Sequence, residues 1–248
     1  SLHNIDIALK KAIEEGYAIG PRISPTGRDI AGRASMMDWN ADYLKMGFEG
    51  STYLVDGPIE ARSAARRIIK SGAEWIKTYP SGDAGCGHAN SHTMGMTEDE
   101  MRAVAEEAHN YGIRVFGHCR GTKSIRIALE LGYDSIEHGN FMDEESLEML
   151  LKQDTPLVPT LYHCQMIAEN GLEIGFAQED VDGHKAHVDC GTKVAQKVLE
   201  GGGRVATGGG DFGLAWNPHG GYAKEISFYV KHAGFSPLDA IRGATKVG

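Results

Sequence analysis

The chain has 248 residues, 41% hydrophobic and 24% charged, with a formal net charge of -9, a size that suits one large α/β barrel or two small domains and a sizeable core. The acidic balance disfavours nucleic acid as the main partner, no run approaches the ~20 apolar residues of a membrane span, and no charged region followed by an apolar stretch marks a secretory signal. The four cysteines, Cys86, Cys119, Cys164 and Cys190, are far apart and form no Cys-x-x-Cys pair, which argues for reduced, mostly buried thiols and a cytoplasmic setting over a disulfide frame or a cysteine-rich zinc site.

Residues 4–15 read as a helix and 17–23 (YAIGPRI) as the first strand, followed by a loop with Gly and Ser and a helix over 59–71. Segment 74–79 (EWIKTY) reads as a strand with Lys77 near its end, and a long polar loop over 80–95 carries His88 and His92. Thr97 with Glu100 three residues on is a capping box, opening a helix that runs to about Tyr111 and stops at Gly112. The strand 113–118 (IRVFGH) ends at His118, a helix spans 122–131, and the strand 133–138 (YDSIEH) ends at His138. A helix over 143–153 leads to 155–161 (TPLVPTL), a strand broken by prolines, as suits a barrel strand end. A helix over 185–200, a strand over 204–207 before Asp211, an amphipathic stretch over 222–232 and a helix over 237–245 close the chain.

Strands alternating with helices of this length predict βα units around a parallel sheet. The expected fold is α/β, a TIM-type (β/α)8 barrel in which six strands are countable where closure needs eight. Ser1 is not a methionine and both ends abut helix-like runs, so the expectation is a single barrel domain over 1–248, strands three to eight, truncated at the N-terminus. An open six-stranded sheet leaves two edges, from which a homo-oligomer is expected.

Lys77, His118, His138 and Asp211 each sit at or just past the end of an apolar run. The C-terminal strand ends of a parallel barrel converge on the active-site face, and two imidazoles, an amine and a carboxylate brought together there look like metal ligands. Taken singly, a strand-end lysine is usually snorkelling, a strand-end histidine usually a satisfied core group, and an aspartate after three glycines usually a turn residue. Two histidines on successive strands aimed at one rim favour the ligand reading. Glu137, one residue before His138, is expected on the opposite strand face. Gly208, Gly209 and Gly210 lead to Asp211 and a loop rather than to a helix start, so they are no dinucleotide fingerprint, and nothing resembles a P-loop.

The segments SIEHG (135–139), VPTL (158–161), GHCRG (117–121) and the stretch 211–240 with NPHG resemble the amidohydrolase superfamily, in particular its imidazolonepropionase-like and metal-dependent Xaa-Pro or Xaa-Arg dipeptidase (carboxypeptidase) branch. The resemblance covers essentially the whole chain. It implies one or two zinc ions in a TIM-type barrel, with Lys77 carboxylated and bridging the metals, His118 and His138 on one metal, and Asp211 on the other while also handling protons. A carbamate suits this role because it offers two oxygens and negative charge, where an ammonium can ligate nothing. Two departures stand out. The family's strand-one His-x-His pair is absent from the sequence, and Gly209–Gly210 replaces the usual Gly-Thr ahead of Asp211. The expectation is a fragment of a longer enzyme, from which the family's accessory β-sandwich, built from both termini, would also be missing.

The expected activity is hydrolysis of an amide or peptide bond in a small substrate, a dipeptide or N-acyl amino acid, by metal-activated water. Ring opening of a cyclic amide of the imidazolone or hydantoin kind is the alternative within the same chemistry, and a catalytically silent ligand-binding barrel is the alternative outside it. Arg120, Tyr162, His163 and His219 are the candidate substrate contacts, the arginine because it binds a carboxylate bidentately. His88 and His92 read as solvated or substrate-lining loop residues, and His184 and His187 as surface residues near a helix start.

Overall fold

The structure is a computed structural model that describes residues 2–38, 52–208, 214 and 217–247. Among these, β1 (Asp29–Gly32), β2 (Thr52–Val55), β3 (Trp75–Thr78), β4 (Arg114–Cys119), β5 (Ser135–His138) and β6 (Leu157–Val158) form one parallel sheet in the order β2-β1-β3-β4-β5-β6. Val205 extends it by a single parallel bridge to Leu157. The helices are α1 (Ile5–Glu14), α2 (Pro58–Ser71), α3 (Glu98–Asn110), α4 (Thr122–Glu130), α5 (Glu144–Gln153), α6 (Leu161–Asn170), α7 (Gln178–Glu200), α8 (Ala223–His232) and α9 (Pro237–Arg242), the last running into a π-helical turn over Gly243–Val247. The architecture is α/β, an open arc of a parallel barrel.

Register sorts the side chains. Lys77 pairs with Phe116, Phe116 with Ser135, His118 with Glu137, and Glu137 with Val158. Neighbours across a parallel ladder share a face, so Trp75, Lys77, Phe116, His118, Ser135 and Glu137 line the concave side. Glu137, expected on the strand face opposite His138, pairs with His118 while His138 pairs with Cys119, so Glu137 shares the face of Lys77 and His118. The alternate residues Ile76, Val115, Cys119, Ile136 and Leu157 are fully buried. They join Ile68 of α2, Met101 and Val104 of α3 and Ile125 and Leu129 of α4 in one core. That core fixes the strands, and through them the direction of every side chain on the concave face.

Several expected elements differ: the strand over 204–207 is reduced to the bridge at Val205, and β1 and β2 form where a loop was expected. Residues 17–23 are not a strand, because Gly20, Pro21 and Pro25 deny that stretch a continuous ladder of donors. The Pro25 carbonyl accepts from Glu74 N, just ahead of β3, and from Trp75 N at 2.8 and 3.2 Å, and β1 takes the place beside β3. The strand over 155–161 shrinks to two residues because Leu161 already starts α6. The helix expected from 185 begins at Gln178, which moves His184 and His187 from a helix start into a helix interior. The capping box expected at Thr97 is present: the Thr97 hydroxyl accepts from Glu100 N at 3.3 Å and the Glu100 carboxylate from Thr97 N at 2.7 Å.

No helix among the described residues is long and apolar enough to cross a membrane. The first turn of α6 has a left-handed N-cap, Thr160, with no side-chain cap of its own. The buried carboxylate of Glu225, from α8, replaces it by accepting from Leu161 N at 2.7 Å and Tyr162 N at 2.6 Å. A carboxylate at the positive end of a helix is doubly favoured. Glu225→Ala is therefore expected to lower the unfolding free energy by about 1–3 kcal/mol in urea titrations; an unchanged midpoint would show that α6 does not depend on this carboxylate.

Candidate active site

Lys77, His118 and His138 converge at the C-terminal ends of β3, β4 and β5, and all three are buried. The Lys77 Nζ forms an ion pair with Glu137 and lies 5.0 and 5.2 Å from the ring centroids of Phe116 and Tyr79. The rings of His118 and His138 meet edge to face, 4.4 Å between centroids. Strand alternation alone would send His138 away from His118, because its ladder partner is Cys119 on the buried face. The backbone at His138 is left-handed, φ 70°, and so is that of Gly139, φ 61°. This turn breaks the pleat and brings the second imidazole back to the rim. Such a backbone costs a non-glycine residue on the order of 1 kcal/mol and is characteristic of functional sites.

Burial depresses the basicity of both rings well below the usual histidine value, reinforced by the Arg120 guanidinium and the Lys77 ammonium, and at His138 by His118 as well. Both imidazoles are neutral at physiological pH, the form that donates a lone pair to a metal. His138 Nδ1 is buried with no hydrogen-bond partner among the described residues. Next to Lys77, the carboxyl of Asp29 accepts from the Tyr79 hydroxyl at 3.0 Å and is held above the ordinary carboxylate range by burial.

The loop after β3 supplies a residue that sequence reading passed over. Ser81 ties the loop to β4, its N–H and hydroxyl both donating to the His118 carbonyl at 3.2 Å. Gly82 is required there, since a Cβ would sit 2.0 Å from the Ala89 carbonyl oxygen. Asp83 then reaches into the rim. Its carboxylate is 2.6 Å from Arg120 Nε and 3.6 Å from both His118 Nε2 and His187 Nδ1. The signal for Asp83 in the sequence is its place in a Ser-Gly-Asp run just past a strand end.

The other expected contacts are dispersed. Arg120 is fully buried, with Nη1 donating to Asn140 Oδ1 at 2.8 Å in addition to its pair with Asp83, so it organises the rim from below rather than facing solvent. Tyr162 and His163 lie in the first turn of α6. Tyr162 stacks under Lys224, 5.5 Å from its ring centroid, and His163 is 6.1 Å from the ring of His184. His219 is exposed, 2.7 Å from the Tyr222 hydroxyl. His88 and His92 are exposed loop residues. His184 and His187, expected at the surface, are 3% and 1% exposed, because the earlier start of α7 turns them toward α6. Asp211 lies outside the described residues.

A cavity of about 280 Å³ opens beside the rim, lined among others by Asp83, Ser91, His92, Phe141, Asp180 and His187, a volume at the lower edge of the ~300–1,000 Å³ usual for small-molecule sites. A groove of about 460 Å³ along α2, lined by Arg62, Arg66 and Lys70, belongs to the helical layer and is remote from the strand ends.

The sequence matches the Amidohydrolase family over residues 3–248. The chain belongs to that family. This amidohydrolase is 28% identical over 252 residues to ochratoxinase of Aspergillus niger, covering 96% of this chain and 51% of that protein. It superposes on the crystal structure of the same enzyme with a TM-score of 0.86 at 25% identity, covering 100% of this chain and 58% of the other. A Xaa-Pro dipeptidase with methionine bound in its active site superposes with a TM-score of 0.79 at 30% identity, covering 97% of this chain and 59% of the other. The chain thus spans about half the length of the curated relatives it matches. The family generally uses metal ions, and the donors here fit one: two neutral imidazoles, one with an orphaned buried nitrogen, beside a lysine whose partner is a carboxylate.

The buried rings also set a pH dependence. Above the ordinary histidine value of 6.5 they are neutral whether the chain is folded or not, so they contribute no slope. Below it the unfolded chain takes up protons that the folded chain refuses, and stability falls as pH falls, by about 1.4 kcal/mol per pH unit for each ring that stays neutral. Denaturant titrations from about pH 8 to about pH 5 are expected to show a plateau and then a decline; stability that stayed level through this range would mean the rings are protonated in the folded chain.

Proposed function

We propose that this chain is the barrel domain, residues 1–248 and strands three to eight, of a zinc-dependent enzyme that hydrolyses the amide bond of a small substrate, a dipeptide or N-acyl amino acid. The observation that carries the reading is the meeting of neutral His118 and His138 beside Lys77 at the strand-end rim. The likeness to an ochratoxinase and a Xaa-Pro dipeptidase supports the amide-bond class.

Lys77, His118, His138 and Asp211 would hold the metal, one ion or two. Zinc, when bound, lowers the pKa of a water toward neutrality and polarises the scissile carbonyl. Carboxylation of Lys77 replaces an ammonium by an anion and turns its attraction for Glu137 into repulsion, so this modification depends on a cation nearby. Asp211 accepts the proton of the attacking water and passes it to the leaving nitrogen, so that the departing group leaves as an amine. The two imidazoles remain neutral throughout, because their burial makes a proton on either ring costly.

The cavity beside Asp83 and His187 receives the rest of the substrate, and its small volume suits a dipeptide. In this reading Arg120 acts by holding Asp83 and Asn140 at the cavity edge, Tyr162 and His163 stand behind the α6 side of the rim, and His219 is the group of this set reachable from solvent. The working form is a homo-oligomer, to be read by sedimentation.

Asp211→Asn is expected to reduce dipeptide hydrolysis about 10²–10⁴-fold with the circular dichroism unchanged. Wild-type turnover in that variant would remove Asp211 from the chemistry, and a higher kcat/KM for a cyclic imide than for any dipeptide would move the substrate class to ring opening. A second reading is a ligand-binding barrel without turnover. The two are separated by the zinc lost in the double variant His118→Ala/His138→Ala: a loss of one or two ions per chain supports the hydrolase, and no loss supports the silent form.

A further inference from the structure

A second set of buried donors lies off the strands altogether. Cys164 of α6 and His184 and His187 of α7 are buried, with one ligand atom from each lying within 4.8 Å of the others. His184 and His187 are three residues apart, the spacing that puts two side chains on one helix face, and α7 packs that face on α6.

The second nitrogen of each ring is already held. His184 Nδ1 lies 2.8 Å from the Asp180 carbonyl; a carbonyl only accepts, so Nδ1 carries the proton and Nε2 presents its lone pair. His187 Nε2 lies 2.7 Å from the Ser91 hydroxyl, while its Nδ1 is buried with no hydrogen-bond partner among the described residues. Fixing one ring nitrogen on a protein oxygen and leaving the other bare is how metal-binding histidines are oriented. Burial, with Arg120 nearby, lowers the basicity of His187 and keeps the ring neutral, so in the tautomer that donates from Nε2 to Ser91 the Nδ1 lone pair is available. Arg120 Nη1 is 3.9 Å from Cys164 Sγ, so the sulfur faces a fixed cation.

The geometry points to a second metal site, formed by Cys164, His184 and His187, taking a thiophilic d10 ion, foremost zinc. Asp83, whose Oδ1 stands 3.6 Å from His187 Nδ1, borders the three donors and brings negative charge to them. The widest spacings close by about 1 Å on binding to reach tetrahedral zinc geometry. A mixed sulfur and imidazole set selects zinc over magnesium or calcium. One thiolate and one carboxylate offset the divalent charge, and Arg120 contacts both. None of the three ring and thiol donors belongs to the strand-end set, so this site stands whether or not the proposed hydrolase reading does.

Cobalt(II) is the probe, because a cobalt–thiolate bond gives a near-ultraviolet charge-transfer band that imidazole and carboxylate ligands do not. Added to the reduced, metal-free full chain, cobalt is expected to produce this band in the wild type and in His118→Ala/His138→Ala, and to lose it in Cys164→Ser. No band in the wild type, or a band that survives Cys164→Ser, overturns the site. A band lost with the two strand-end histidines also overturns it, by assigning the sulfur to the strand-end centre. X-ray absorption of the zinc-loaded wild type stands apart from any folding defect in the variants: a sulfur scatterer at about 2.3 Å supports the site, and a shell of nitrogen and oxygen alone overturns it.

Discussion

The ion pair of Asp83 with Arg120 is the constraint on which the rim depends. Arg120 follows β4, and its guanidinium spans Asp83 from the loop after β3, Asn140 after β5 and Cys164 in α6. Asn140 continues the chain of contacts by donating to the His187 carbonyl at 2.9 Å in α7. Four separate segments are thereby registered to one planar cation. A buried guanidinium is tolerable only when its donors are matched, and the removal of one partner from such a pair costs about 3–5 kcal/mol. The loop carrying Asp83 cannot leave the rim without exposing that cost.

The sheet contributes a different kind of order. Parallel register places Lys77, His118 and Glu137 on one face, and the apolar core on the other face prevents a slip by one residue, which would exchange the two sets. His138 escapes the alternation only through its left-handed backbone. The pairing of two imidazoles therefore rests on a local strain that the packed surroundings sustain, as is common where geometry is held for chemistry.

Asp83 connects the two donor sets. One oxygen of its carboxylate lies toward His118 and the other toward His187 and Arg120, so a change of charge on one side is felt electrostatically on the other through a medium of low dielectric. The cavity beside it is bounded by the same carboxylate. This arrangement makes the wall of the cavity a polar, charge-balanced surface, while the apolar layers lie beneath the strands and helices.

The sequence by itself determined the alternation of strands and helices from α2 to β6, the capping box at Thr97 and the convergence of Lys77, His118 and His138, because these depend on local periodicity and on the rule that parallel strands end at a common rim. It also carried enough motif to imply the family. The tertiary structure alone decided the rest. Whether residues 17–23 formed a strand depended on donors that prolines lack and on β1 competing for the same edge. The reach of Glu137 to Lys77 and the return of His138 to the rim depended on ladder register and a single backbone dihedral. The burial of His184 and His187 depended on where α7 starts and which face α6 covers. Asp83 became the hub only through contacts with residues 37 and 104 positions away in the chain. Periodicity reports neighbours along a chain; it holds no information on which distant groups desolvation and charge bring together.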